Sequence, residues 1–318
     1  MATSSETIAS SDAQRRRWLG YGFAACGALL FSSKGIVIKL AYAEGVDAET
    51  LLALRMLLAM PIYLVIGVVT LAERRRLHKP AIGAGLYVPI VLVGLLGYWI
   101  SSYLDFLGLE TISAQFERLI LFTYPLWVVL FGAAFFGQKV RPRALLAFVV
   151  AYGGLALMFN EFAAAAQHDI VFGVAVVLCA AVTFALYQLL AKGLIERVGS
   201  GLFTCIAMLS AGVAVVVQFA LTHPLGDMLV TPKVFGYGLF LAIGATVLPS
   251  FFMNAALQRI PASSNATIGM LSPVGTILLA MIVLGEWLTP IEWLGTALVI
   301  AGIAWFTLSD RRQAAKGP

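Results

Sequence analysis

The chain has 318 residues, 61% of them hydrophobic and only 12% charged, with a mean hydropathy of +0.94. Soluble domains carry about 25% charged residues, so a water-soluble fold is excluded: there are too few polar groups to cover its surface. The formal charge of +5 and the isoelectric point of about 9.2 do not indicate nucleic acid, because the basic residues are scattered over short segments and tails.

Residues 1–17 are polar and lack the charged start, apolar core and small-residue cleavage site of a signal peptide. They read as a disordered cytoplasmic tail. From Trp18 onward come apolar runs of about the 20 residues that a spanning helix needs. The first five lie at 18–42, 48–71, 83–108, 112–136 and 142–160. Five more follow at 170–191, 201–221, 234–257, 262–284 and 291–308. The runs are continuous rather than alternating, which selects helices over a barrel. The expected fold is an all-α membrane protein of ten transmembrane helices in the lipid bilayer. Its first five-helix repeat occupies 18–160, its second 161–310, and a cytoplasmic tail 311–318.

Orientation follows from Lys and Arg. With a cytoplasmic N-terminus, the inner side holds Arg15, Arg16, Arg17, Arg74, Arg75, Arg76, Lys79, Lys139, Arg141, Arg143, Lys192, Arg197, Arg259, Arg311, Arg312 and Lys316, and the outer side Lys233 alone. This is the asymmetry of the positive-inside rule, and it places both termini in the cytoplasm of a multi-pass inner-membrane protein. Cys26, Cys179 and Cys205 fall inside spans and read as small core residues. His78, His168 and His223 fall in loops without a second His at ligand spacing. With no phosphate loop, GxSxG elbow or HExxH motif, neither an enzyme, a metal nor a cofactor is expected.

A shift of 148 residues superposes the two halves: Gly108–Ala114 falls on Ala256–Ala262, Pro125 on Pro273, Gly137 on Gly285, Pro142 on Pro290, and Gly154 on Gly302. A shift of 153 places Lys39 on Lys192. Five spans per repeat give the halves opposite polarity. Inverted repeats let a protein open alternately to either side around a central site, which is a transporter signature.

At this point the sequence resembles a known family. Phe31-Ser-Ser-Lys-Gly-Ile-Val-Ile-Lys39 with Leu54-Arg55, and Ala256-Leu-Gln-Arg-Ile-Pro261 with Leu271-Ser-Pro273 and Leu284-Gly-Glu-Trp-Leu-Thr289, are similar to EamA-type members of the drug/metabolite transporter superfamily. The resemblance covers about 18–308 and implies a ten-helix inner-membrane carrier without naming its solute. Two departures stand out: Gly137-Gln138-Lys139 faces Gly285-Glu286-Trp287, and Arg118 faces Ala266.

Charges at bilayer depth are costly unless they face protein or water, so Lys34, Lys39, Arg55, Asp105, Glu117 and Arg118 carry the most information. Lys34 lies near mid-span and is the expected partner of a substrate carboxylate or phosphate. Lys39 and Arg55 either snorkel to the outer surface or pair with Asp105. Tyr98, Ser102 and Asp105 recur at i, i+4 and i+7 on one face of the third helix, as do Ser250, Asn254 and Gln258 on the eighth; such stripes serve as lining or as interhelical glue. Glu117 and Tyr124, with their repeat mates Asn265 and Ser272, are two helical turns apart, about 10.5 Å. They read as the polar heart of the site, with Glu117 alternatively a structural partner of Arg55 or Lys39. Pro125 and Pro273 sit mid-span as kinks and hinges.

The candidate substrate-binding set is therefore Lys34, Tyr98, Ser102, Asp105, Glu117, Arg118, Tyr124, Asn254, Asn265 and Ser272, and the lining of the cavity is expected from the first, third, fourth, sixth, eighth and ninth spans. Small residues at Ala147, Ala151, Gly154, Gly295 and Gly302 read as packing seams or as the contact of a homodimer. Together these features point to a secondary transporter of a small polar or amphipathic metabolite, an amino acid or related organic ion. The alternatives are a carrier of organic anions or nucleotide-linked metabolites and, from other classes, a membrane-embedded transferase or a structural membrane protein.

Overall fold

The structure, a computed structural model, describes residues 2–78, 83–136, 146, 149–158, 170–260, 268, 269 and 271–314; among these every regular element is helical. Seven helices are long and apolar enough to cross a bilayer: α1 (Ala2–Tyr42, apolar from Arg17), α2 (Ala48–Arg76), α3 (Ala84–Thr111), α4 (Ala114–Phe135), α6 (Ile170–Val198), α7 (Ser200–Thr222) and α8 (Pro232–Ala256). Among the described residues there are also three shorter apolar helices, α5 (Val149–Met158), α9 (Leu271–Leu284) and α10 (Pro290–Ala314, apolar to Gly302). The expected runs 142–160 and 262–284 fall partly outside the described residues.

The segment expected as a disordered tail is instead helical from Ala2. No Gly or Pro interrupts the chain before Gly20, so a helix already nucleated by the span propagates outward at little cost.

Helix ends follow local chemistry. Asp47 caps α2 by accepting from the Thr50 N–H at 2.8 Å, and Ser113 caps α4 by accepting from the Phe116 N–H at 3.2 Å. Thr289 and Glu292 cap α10 reciprocally: the Thr289 N–H donates to the Glu292 carboxylate at 2.7 Å, and the Glu292 N–H to the Thr289 hydroxyl at 3.3 Å. This is a capping box, with Pro290 at the first helical position. Gly285 closes α9 at φ +68°, a left-handed conformation that glycine adopts without a Cβ clash.

The packing exchanges the two halves. α1 lies against α8 and α9; its repeat counterpart α6 lies against α3 and α4; α2 packs on its own counterpart α7. Between helices in lipid, close approach replaces the hydrophobic effect as the source of attraction. A Cβ on Gly94 of α3 would stand 2.6 Å from the Ala207 Cα of α7. A Cβ on Gly154 would stand 2.5 Å from the Gly295 carbonyl, so these two glycines form a seam between α5 and α10 of one chain.

Among the described residues three helices contain a π turn: α3 at Leu95–Ile100, α8 at Ile243–Val247 and α9 at Ala280–Leu284. The first two are related by the 148-residue shift. Single π turns concentrate at functional sites, because one extra residue per turn displaces the side chains that follow.

Candidate functional site

Between the halves lies a cavity of about 120 Å³. Its wall is built in repeat-related pairs. The shift of 148 relates Gly97 to Ala245, Tyr98 to Thr246, Ser102 to Ser250, Leu121 to Gly269 and Tyr124 to Ser272; the shift of 153 relates Phe31 to Phe184 and Arg55 to Met208. All seven pairs line the cavity. Three come from the two equivalent π turns and the residues just after them.

Of the residues singled out by sequence, Lys34, Tyr98, Ser102, Arg118, Tyr124 and Ser272 line this space. The Tyr98 and Tyr187 hydroxyls are 2.7 Å apart, and the Ser250 hydroxyl is 2.8 Å from that of Tyr63. Asp105 and Glu117 lie behind the wall, 1% and 0% exposed. Asn254 is also buried and donates its side-chain N–H to the Thr204 hydroxyl at 2.5 Å, so it joins α8 to α7 as glue. Asn265 lies outside the described residues. Of the α8 stripe, Ser250 lines the cavity while Gln258 is exposed.

Two expectations about partners are corrected. Lys34 does not stand free for a solute: its ammonium donates to the Asp105 carboxylate. Of the two alternatives for Lys39, pairing with Asp105 is not seen among the described residues: it is half-buried near Glu286 and Glu110. Burial raises the Glu286 carboxyl above its ordinary range, the nearby Lys39 charge opposes that rise, and Glu292 adds to it.

The fourth span, α4, is disturbed at Pro125, as expected, but just before the proline rather than at it. It breaks into Ala114–Leu121 and Tyr124–Phe136 around a turn at Phe122–Thr123. Pro125 lacks an N–H and its ring would meet the carbonyl four residues back, at Leu121. The chain therefore tightens: the Thr123 N–H donates to the Ile120 carbonyl and the Leu126 N–H to the Thr123 carbonyl, both across three residues. The two-turn register linking Glu117 to Tyr124 is lost at this break, which is why Tyr124 lines the cavity and Glu117 does not. Pro273, by contrast, lies within an uninterrupted helical stretch, Leu271–Leu279. Its fourth preceding residue is Gly269, which lines the cavity.

Sequence reasoning left Arg55 out of the site. It is 3% exposed, lines the cavity, and holds its guanidinium carbon 4.8 Å from the Phe106 ring centroid. The signal was available in the 153-residue shift, which carries α2 onto α7 and so brings both into the wall.

At the end of the bundle where α2 begins, Glu49 ties three helices. It accepts from the Tyr103 hydroxyl at 2.9 Å, from the Gln218 side-chain amide at 3.2 Å and from the Thr222 hydroxyl at 2.5 Å, with His223 Nδ1 at 3.2 Å. The Trp99 indole donates to Gln218 at 2.6 Å, and the Ala48 N–H to Glu110 at 2.7 Å.

Comparison with known proteins agrees with this architecture. The model of the EamA-like transporter family matches residues 18–160 and again 171–308. The uncharacterized transporter YcbK of Bacillus subtilis is 30% identical over 305 residues, 92% of this chain and 94% of that one. The threonine/homoserine exporter RhtA of Escherichia coli K12 is 28% identical over 212 residues, 67% of this chain and 68% of its own. A solved crystal structure superposes with a TM-score of 0.63 at 20% identity, covering 92% of this chain and 98% of the other, a likeness of fold. With two family matches laid over two halves that share one cavity, the chain is a multi-pass helical membrane protein and belongs to the EamA-like transporter family.

Proposed function

We propose that the chain is a secondary transporter that carries a small polar or amphipathic metabolite, an amino acid or related organic ion, across the inner membrane by alternating access. The observation that carries this reading is the cavity wall of seven repeat-related pairs. A wall made of equivalent positions from two inverted halves can exchange the conformations of those halves and open to the opposite side. The name of RhtA, a threonine/homoserine exporter, supports a solute of amino-acid size. So does the volume: a water needs about 10–15 Å³ of such space, and 120 Å³ holds on the order of ten non-hydrogen atoms. A nucleotide-linked metabolite needs more than that.

Purified protein reconstituted in liposomes is expected to move labelled L-amino acids saturably. Absence of flux across a panel of amino acids and small organic acids would remove this reading and favour a structural role. The proposed ten inverted spans, in repeats over 18–160 and 161–310 with both termini cytoplasmic, carry their own test. Reporter fusions after Ala48 and Gln167 should report the outside, and fusions after Lys79 and Arg143 the inside. A cytoplasmic signal after Gln167 would overturn the inverted arrangement.

A further inference from the structure

We infer that Arg55 is the anion anchor of the cavity, holding the carboxylate of the bound solute, and that it selects carboxylate-bearing solutes over otherwise identical neutral or cationic ones. This inference rests on the transport reading above.

Three cations and two carboxylates surround the cavity. Lys34 is paired with Asp105. Arg118 donates to the Phe31 carbonyl at 3.2 Å and has Glu117 at 3.8 Å. Arg55 alone among the three has no ion-pair or hydrogen-bond partner among the described residues, and its Nε is buried without an acceptor. Its guanidinium lies over the Phe106 ring, and the Asp105 carboxylate, already held by Lys34, acts on it from beyond ion-pairing distance. A ring face is a weak substitute for hydration, and a carboxylate shared with Lys34 leaves the buried guanidinium without a direct acceptor of its own. The partner that resolves this must be anionic and must enter through the cavity, which Arg55 lines. A guanidinium fork meets a planar carboxylate through two parallel N–H···O bonds, so a carboxylate fits better than a spherical anion.

The cavity is also polarised. Lys34, Arg55 and Arg118 all lie within eight residues of the helix ends at Tyr42, Ala48 and Ala114, at one end of the bundle. The repeat counterpart of Arg55 is Met208, and that of Asp105 is Met253; both face the cavity. Among the described lining residues the charges are therefore confined to one end. A solute with one carboxylate and a short neutral or apolar remainder matches both ends, its carboxylate at Arg55 and its remainder toward Met208 and Phe184.

The test compares three matched solute series on the purified full-length protein: L-amino acids, the corresponding 2-hydroxy acids, and the corresponding amino-acid amides. Affinity is read by ligand-induced thermal shift and by competition for liposome uptake. Wild type is expected to bind acids of both kinds and to discriminate against the amides by roughly 100-fold, the scale of a buried charge pair. Arg55→Gln should lose about that factor for both acid series, with little change for the amides, and Arg55→Lys should recover part of it. Amides binding as well as acids to wild type would overturn the anchor while leaving transport intact. That comparison needs no variant and holds even if Arg55→Gln folds poorly. Acid affinity unchanged in folded Arg55→Gln would overturn it equally, and failure of wild type to bind or move any acid would remove both readings.

Discussion

Lys34→Met, with Asp105 left in place, is expected to destabilise the protein by about 3–5 kcal/mol, seen as a fall in melting temperature on the order of 10 °C. Asp105→Leu alone should do the same, and the double substitution Lys34→Met/Asp105→Leu should recover most of the loss. The argument is one of asymmetry. Asp105 is 1% exposed and its Oδ1 has no acceptor role among the described residues, so the Lys34 ammonium is its principal compensation. Removing one partner leaves the other charge buried and unpaired; removing both leaves two apolar side chains where two ions were. Lys34 also stands 5.2 Å from the Phe106 ring centroid, which Arg55 shares. If the double variant melts as low as either single one, the pair does not compensate itself as the geometry implies.

How much of this was legible beforehand depends on what each feature requires. Span positions need only composition, and the long helices begin and end within a few residues of the apolar runs, apart from the polar extensions of α1, α2 and α6. Position along a span is equally a matter of counting, and it singles out Lys34 as the charge nearest mid-span. Direction around a helix is not. Arg55 is expected to turn outward or toward Asp105; the packing of α2 on α7 brings it to the cavity, with Asp105 still acting on it. Partner choice fails for the same reason: Asp105 had several basic candidates within reach, and only the crossing of α1 with α3 selects Lys34. Tyr98, Ser102 and Asp105 share a face on an ideal helix, but the π turn at Leu95–Ile100 inserts an extra residue before Ser102. No propensity marks such a turn. Pro125 announced a disturbance in α4; that the helix parts at Phe122–Thr123 follows only from the carbonyl the proline ring would strike. The repeat was the feature from which most could be recovered, since it lists the cavity wall in pairs once one member is known.

The Glu49 cluster leads to the second large effect. Glu49→Ala is expected to increase, by roughly 10–100-fold, the rate at which a cysteine substituted for Ser102 reacts with a membrane-impermeant maleimide added outside. Glu49 sits in the first turn of α2, and its carboxylate accepts from Tyr103 on α3 and from Gln218 and Thr222 on α7. In the proposed orientation these helix ends face outward, so opening the cavity to that side separates α2 from α3 and α7 and breaks all three bonds. Hydrogen bonds to a charged group contribute about 1.5–3 kcal/mol each, and each 1.4 kcal/mol lost from the closed state alone shifts the open population tenfold while it remains minor. Gln218 retains its bond from Trp99, so part of the junction persists and the shift stays below the sum of three bonds. The experiment uses a background in which Cys26, Cys179 and Cys205 are replaced by alanine, with Ser102→Cys as the reporter, because Ser102 lines the cavity. Glu49→Gln, which keeps an acceptor oxygen but loses the charge, should fall between wild type and Glu49→Ala. A folded Glu49→Ala protein whose Ser102→Cys reporter labels no faster than before would show that Glu49 caps the helix bundle without governing access to its cavity.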